Sequence, residues 1–190
     1  MRFRLTYRGP LKPQMSGDKI GKQNLRRHFH PQIKSLWETI MVARGSSWNP
    51  LKVPNNPGEV GICQSMSSFL FAPLVSQAEG WNAIAQLDVL FLRPSRPGEP
   101  IKHGGDLDNR IKVLFDGLRM PRNLDEVPTS DQPGPGETPF HCLLQDDSLI
   151  TAFSVTSDQL LNPPDPDHVE LIISVNVQTT RRTLYNDIIW

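Results

Sequence analysis

The sequence predicts an α/β fold of about five strands and two helices, in a single domain that spans residues 1–190. Strand-like and helix-like apolar patterns alternate along the chain, which is the arrangement typical of this class. The length of 190 residues falls in the range of one domain. The 18 prolines lie mostly between the apolar runs, which indicates stiff loops rather than a second core.

The N-terminal region, residues 1–52, predicts a basic strand followed by a helix. Apolar side chains occupy every second position over residues 3–7, the period of a strand with one buried face. From about residue 22 to residue 43 the apolar positions recur at helical spacing instead. Pro31 lies inside this pattern and predicts a kink, or a helix that begins near it.

The remaining elements follow from apolar runs between loop-forming residues. Residues 64–73 and 83–92 predict two strands, and the second is apolar on both faces, as a buried central strand would be. A helix with an apolar face follows residue 106. Residues 149–156 and 169–177 predict two strands paired as a hairpin across a proline-rich turn.

Residues 120–140 are rich in proline and glycine and cannot continue a helix or a strand. This segment is the main part of a 29-residue interval, residues 117 to 145, between two groups of acidic residues. We interpret it as an insertion.

Charge is distributed unevenly along the chain although the formal net charge is zero. Residues 1–52 hold 11 Lys and Arg against two acids, a net of +9, and the rest of the chain carries the compensating −9. This asymmetry predicts a phosphate-binding basic surface beside an acidic cluster. The alternative is that ion pairs within the protein cancel the charges of the two regions. The candidate nucleic-acid-binding residues are Arg8, Lys12, Lys19, Lys22, Arg26 and Arg27.

Several classes of protein are not indicated by the sequence. No apolar stretch approaches the roughly 18 residues of a membrane span, and the N-terminus lacks the apolar core of a secretory signal. Cys63 and Cys142 are too few for a disulfide framework, so we expect two buried thiols and a cytoplasmic location. We expect no nucleotide cofactor.

The residues that carry chemistry form two acidic groups. Asp106 and Asp108 stand at the start of the predicted helix, and Asp108, Lys112 and Asp116 follow each other at intervals of four, which places them on one helical face. Asp146-Asp147 directly precedes a predicted strand. Clustered carboxylates repel unless a cation binds, and all-oxygen ligands suit Mg²⁺ or Mn²⁺. Such an ion with a nearby lysine favours phosphodiester hydrolysis.

The combination of these motifs resembles the signature of the RusA family of Holliday junction resolvases. The matching features are Asp-Leu-Asp-Asn at 106–109, the Lys and Asp that follow at intervals of four, and the distant Asp-Asp pair before a strand. The resemblance implies a mixed sheet with helices packed on it and a homodimer with a cleft. It implies a Mg²⁺-dependent endodeoxyribonuclease that resolves four-way DNA junctions in recombination and repair.

The resemblance also assigns roles to individual residues. Asp106, Asp108 and Asp147 correspond to metal-binding catalytic carboxylates, with Asp146 beside them, and Lys112 corresponds to the functional lysine. Asp116 and Asn109 correspond to supporting residues.

Alternatives remain at this point. Asp106 or Asp108 could be a helix cap, and Asp146-Asp147 could be a turn before a strand. The chain could also be a nuclease for other branched DNA, or a junction- or DNA-binding protein of the same fold without turnover.

Overall fold

The computed structural model describes residues 1–12, 18–45, 48–56, 58–96, 98, 107–165 and 167–189. Within these residues the fold belongs to the α/β class, as the sequence predicts. The helices and strands in chain order are β1 (Arg2–Pro10), α1 (Lys19–Arg44), β2 (Gln64–Met66), β3 (Phe69–Val75), β4 (Ala83–Arg93), α2 (Leu107–Leu118), β5 (Phe140–Leu144), β6 (Ile150–Gln159) and β7 (His168–Thr179).

These strands form two mixed sheets. The larger sheet has the order β1-β7-β4-β6, in which β7 is antiparallel to both β1 and β4, and β6 is parallel to β4. The smaller sheet has the order β2-β3-β5, with β2 antiparallel and β5 parallel to β3. The apolar strand β4 therefore lies inside the larger sheet, between β7 and β6, as its sequence predicts.

Three local predictions are wrong. Residues 64–73 do not form one strand, because Ser67 adopts φ 54° and turns the chain between β2 and β3. The last two strands are not a hairpin, since β4 lies between β6 and β7 and pairs with both. Only one face of β4 is fully buried, and Leu90 and Leu92 on the other face are half-buried.

Helix α1 is a single helix that runs through Pro31. It begins after Asp18, whose carboxylate accepts a hydrogen bond from the backbone N–H of Gly21 at 2.7 Å. The prediction of a helix start at Pro31 is therefore wrong. Phe29 and Ile33, on either side of the proline, are both buried. This tertiary packing outweighs the cost of about 3 kcal/mol for an interior proline.

The main core lies between α1 and the two sheets. Trp37, Trp48 and Trp81 contact one another there with ring centroids 5.5 to 6.4 Å apart. Cys63 and Cys142 are buried free thiols, as the sequence predicts. Neither helix in the described part of the chain has the length and apolar character that a membrane crossing requires.

The 120–140 insertion is packed against the protein rather than extended from it. Its residues Met120 and Val127 join an apolar cluster with Phe69, Phe71 and Phe140. At its base, the backbone N–H of Met120 donates to the carbonyl of Leu144 at 2.9 Å. The first residue of the insertion is therefore hydrogen-bonded to the last residue of β5, the strand that follows the insertion.

Helices α1 and α2 approach each other closely at Gly117. A Cβ atom at this position would lie 2.4 Å from Cγ and Cδ2 of the Leu25 side chain, much closer than van der Waals contact. A glycine is therefore required for the observed packing of the two helices. This contact sets the position of the polar side chains along α2.

Candidate active site

Helix α2 presents a polar stripe opposite its buried face. Ile111, Leu114 and Leu118 are buried against the core, and this orientation turns the positions at Asp108 and Lys112 toward solvent. The Lys112 ammonium lies 3.3 Å from Oδ2 of Asp108, one turn earlier. Both side chains are about two-thirds exposed, so this pair leaves them free to move.

The pairing at the base of the insertion brings the second acidic group to α2. Arg119, directly after α2, pairs with Leu144 at the end of β5 in a parallel bridge. Asp146 and Asp147 follow β5 after one residue, Gln145, and a 3-10 turn over Asp147–Leu149 precedes β6. The two acidic groups are distant in sequence, but the backbone places their elements side by side.

An open pocket of about 330 Å³ lies at this junction. It contains four of the predicted site residues, which are Lys22, Lys112, Asp116 and Asp147. The remaining lining residues are Phe115, Arg119, Arg122 and Glu126. The pocket is therefore lined by four basic and three acidic side chains, and we call it the acidic-basic pocket.

Arg119 is the buried centre of this pocket, with a side chain only 2% exposed. Its guanidinium donates to Glu126 at 2.8 and 3.1 Å and to Asp116. Its Nε lies 4.0 Å from Oδ2 of Asp147 and has no hydrogen-bond partner among the described residues. Arg119 thus holds the carboxylates of Asp116 and Glu126, and its Nε–H points toward the carboxylate of Asp147.

Asp116 is held from two sides. The Lys22 ammonium lies 2.8 Å from Oδ2, and Arg119 binds Oδ1. Burial would raise the pKa of Asp116, but hydrogen bonds and charge from Lys22 and Arg119 outweigh it and lower this pKa below its usual value. The pKa of Glu126 is lowered in the same way, since the effect of Arg119 exceeds that of burial. Both groups are therefore ionised at neutral pH.

Asp146 and Asp147 share a second arginine. Nε of Arg122 donates to Oδ2 of Asp146 at 3.0 Å, and its Nη2 lies 2.5 Å from Oδ1 of Asp147. Asp146 also accepts from the backbone N–H of Ser148 at 2.9 Å, which caps the 3-10 turn. Hydrogen bonds from Ser148 first, and then Arg122, lower the pKa of Asp146 to about 2. Asp146 therefore caps the 3-10 turn and also binds Arg122 together with Asp147.

Asp106 lies outside the described residues. Asp108 is the second residue of α2, so it is not the residue that caps this helix. Asn109 lies in the same turn and is partly exposed. Among the described residues, no group of three or more His, Cys, Asp or Glu side chains forms a metal site. The oxygen donors that are present have the chemistry that Mg²⁺ or Mn²⁺ prefers.

The predicted nucleic-acid-binding residues divide into two sets. Arg26 is buried, with its Nε bonded to the Arg119 carbonyl at 2.9 Å. Arg27 binds Asp131 and Glu137 of the insertion at 2.9 and 3.0 Å. Internal pairing, the alternative explanation of the charge asymmetry, therefore accounts for these two residues, and we leave them out of the DNA-binding surface.

The other members of that set lie nearer to solvent. Arg8, Lys12 and Lys19 are exposed, and Arg8 lies 3.5 Å from Glu170 in a loose surface pair. Lys22 is mostly enclosed and lines the acidic-basic pocket with its partner Asp116. The basic surface predicted for the N-terminal region is thus smaller than its charge of +9 indicates.

Arg119, Arg122 and Glu126 were not identified from the sequence. All three lie just after α2, at the start of a segment whose composition indicates a loop. One feature of the sequence could have identified them: the segment after α2 must lead the chain back to the strand that precedes Asp146. Charged residues at that return therefore lie beside the acidic pair.

Comparison with protein-family models, with curated proteins and with solved structures gives no match for this chain. The fold and the pocket define an α/β protein with a cluster of charged side chains at the junction of α2, β5 and β6.

Proposed function

We propose that this chain is a divalent-metal-dependent endodeoxyribonuclease of the RusA type that resolves four-way DNA junctions. The observation that carries the proposal is the pocket that contains Lys112 and Asp116 of α2 together with Asp147, which follows β5. These residues belong to two separate acidic groups, and a cleavage site built from both groups requires them to be adjacent.

Asp106, Asp108 and Asp147, with Asp146 beside them, would hold Mg²⁺ or Mn²⁺. When bound, the ion would activate a water and neutralise charge on the phosphate. The ion pairs of these carboxylates support the proposal, because Asp108 pairs with Lys112, and Asp146 and Asp147 pair with Arg122, so each already has a positive charge beside it.

Lys112 has the role of a phosphate-binding residue in this proposal. It is two-thirds exposed, it lines the pocket, and its partner Asp108 lies at 3.3 Å in a weak surface pair. An ammonium so placed can stabilise the negative charge that builds on the phosphate or on the leaving oxygen. Asp116 has an indirect role, because it orients the side chains of Lys22 and Arg119 that line the pocket.

We further propose that the protein acts as a homodimer on branched DNA, because a two-fold junction is cut symmetrically by a two-fold enzyme. Exposed Arg8, Lys12 and Lys19 would contact the DNA backbone, with Lys22 at the edge of the pocket. We expect junction affinity to fall steeply with salt, and sedimentation at micromolar concentration to give a dimer.

The test is cleavage of a synthetic four-way junction with Mg²⁺ supplied or omitted, alongside linear duplex, flap and fork substrates of the same sequence. We expect Mg²⁺-dependent cutting of the junction, and lower turnover by Lys112→Ala with metal binding retained. Preferred cutting of flaps or forks would instead select a nuclease for other branched DNA. Junction binding without any cutting would refute the nuclease proposal and favour a DNA-binding protein of this fold.

A further inference from the structure

The two arginines of the acidic-basic pocket differ in how firmly they are held. Arg119 is 2% exposed and binds Glu126 and Asp116 inside the protein. Arg122 is 51% exposed, and its two contacts are with the partly exposed carboxylates of Asp146 and Asp147. Ion pairs at such exposed positions contribute little to stability, whereas buried pairs are costly to break. Arg122 is therefore the arginine that can leave its partners.

The carboxylates that Arg122 binds are those that the proposed metal would need. One guanidinium spans both, with a donor on Asp146 and another on Asp147. A guanidinium carries a single positive charge, so a divalent cation at the same oxygens is a direct competitor with twice that charge.

A displaced Arg122 would remain at the rim of the pocket. Its backbone N–H donates to Oε2 of Glu126 at 3.3 Å, and Glu126 is itself held by Arg119. The side chain also lines the pocket that Lys112 lines. A planar guanidinium matches a phosphate with two parallel hydrogen bonds, which an ammonium cannot do.

We infer that Arg122 exchanges partners during the reaction: it neutralises Asp146 and Asp147 before the metal binds, and metal binding releases it to hold the DNA phosphate. This inference rests on the proposed function. It gives the 120–140 insertion a role, since the insertion supplies Arg122 and Glu126 to the site. It also couples metal and DNA, because each ligand favours the state in which Arg122 has left the carboxylates.

The first test is calorimetric titration of the DNA-free protein with MnCl₂. We expect Arg122→Gln to bind Mn²⁺ more tightly than the wild type by roughly fivefold, the factor for one exposed ion-pair contact. Arg122→Lys keeps the charge but not the fork, and its affinity should lie between the two. Lys22→Gln is the matched control, because it removes one positive charge from the same pocket but from Asp116 rather than the acidic pair.

The second test measures junction affinity with Ca²⁺ and with EDTA. In EDTA we expect the wild type and Arg122→Gln to bind alike, since Arg122 is then held by the protein. With Ca²⁺, an ion that also takes oxygen ligands, the wild type should gain more affinity than the variant. Melting temperatures of all variants, without metal, show that each is folded.

The outcomes separate the inference from the function on which it rests. Mn²⁺ binding that rises equally in Arg122→Gln and Lys22→Gln would reflect net charge alone and would overturn the exchange. An equal gain from Ca²⁺ in both proteins would overturn the phosphate contact. A wild-type protein that binds no Mn²⁺ at all would refute the metal-dependent nuclease as well.

Discussion

Replacing Arg119 by methionine removes the buried cation of the pocket while keeping an unbranched side chain of similar length. Asp116 and Glu126 would then lose the charge-assisted hydrogen bonds from Arg119 and remain partly buried, with Lys22 and Arg26 as their remaining cationic partners. Breaking a buried pair costs about 3–5 kcal/mol, and the partial exposure of both carboxylates favours the lower end. For a chain of this size, about 3 kcal/mol lowers the melting temperature by roughly 10 °C.

The pH dependence of this loss distinguishes an ion-pair effect from a packing effect. In the wild type, the lowered pKa values of Asp116 and Glu126 contribute stability above their ordinary pKa, which disappears as the pH falls through the folded values. In Arg119→Met, Lys22 still pairs with Asp116 and Arg26 with Glu126, but the loss of Arg119 leaves both pKa values higher than in the wild type. Both carboxylates are therefore protonated at a higher pH in the variant than in the wild type. The difference in unfolding free energy should therefore be largest near pH 7 and shrink toward about pH 3.5.

Urea unfolding of both proteins across that range measures the difference directly, with Arg122→Met as the matched control. Arg122 binds two carboxylates in the same pocket but is half exposed, so its loss should cost about 1 kcal/mol or less. Equal costs for the two variants, or a cost of Arg119→Met that is independent of pH, would refute the reasoning.

Three further outcomes are expected. Gly117→Ala should destabilise the protein by about 1–3 kcal/mol in thermal unfolding, because the new methyl would lie 2.4 Å from atoms of Leu25, whereas Gly134→Ala, with only an ordinary contact at 3.5 Å, should be close to neutral. Asp108→Asn should maintain or raise the metal-free melting temperature while junction cleavage collapses, and undiminished cleavage would contradict the catalytic role proposed for Asp108. Burial lowers the pKa of His141 to about 4, so the unfolded chain takes up a proton first as the pH falls below about 6.5. Unfolding free energy should then drop by about 2 kcal/mol between pH 7 and pH 5, and the drop should be smaller in His141→Leu.

The parts of the fold that could be predicted are those with a clear local period. The alternation over residues 3–7 gives β1, and the interval of four from Asp108 gives the polar stripe of α2. Strand order is not local: β4 pairs with both β6 and β7, and no pattern within a strand specifies its neighbours. The continuity of α1 through Pro31 likewise depends on tertiary packing, which the helix propensities of the individual residues do not predict.

The candidate site shows the same limit. The acidic residues could be found because carboxylates before a helix or a strand are conspicuous in sequence. Their basic partners could not, since Arg119 and Arg122 differ in sequence from surface arginines only by what lies opposite them. For Arg26 the prediction is wrong in the opposite direction. The basic residues around it in the sequence indicate a DNA-binding side chain, but Arg26 is buried and binds the Arg119 carbonyl.

The hydrogen bond from Met120 to Leu144 has a consequence for how the chain can change over evolution. A segment whose two ends are already joined can grow or shrink with little effect on what lies outside it, because each doubling of a loop costs only about 0.6 kcal/mol in closure entropy. The distance between the elements that carry Asp116 and Asp147 is set by that closed base and not by the number of residues beyond it. Side chains of the insertion can therefore reach the pocket, as Glu126 does, without altering the spacing between Asp116 and Asp147.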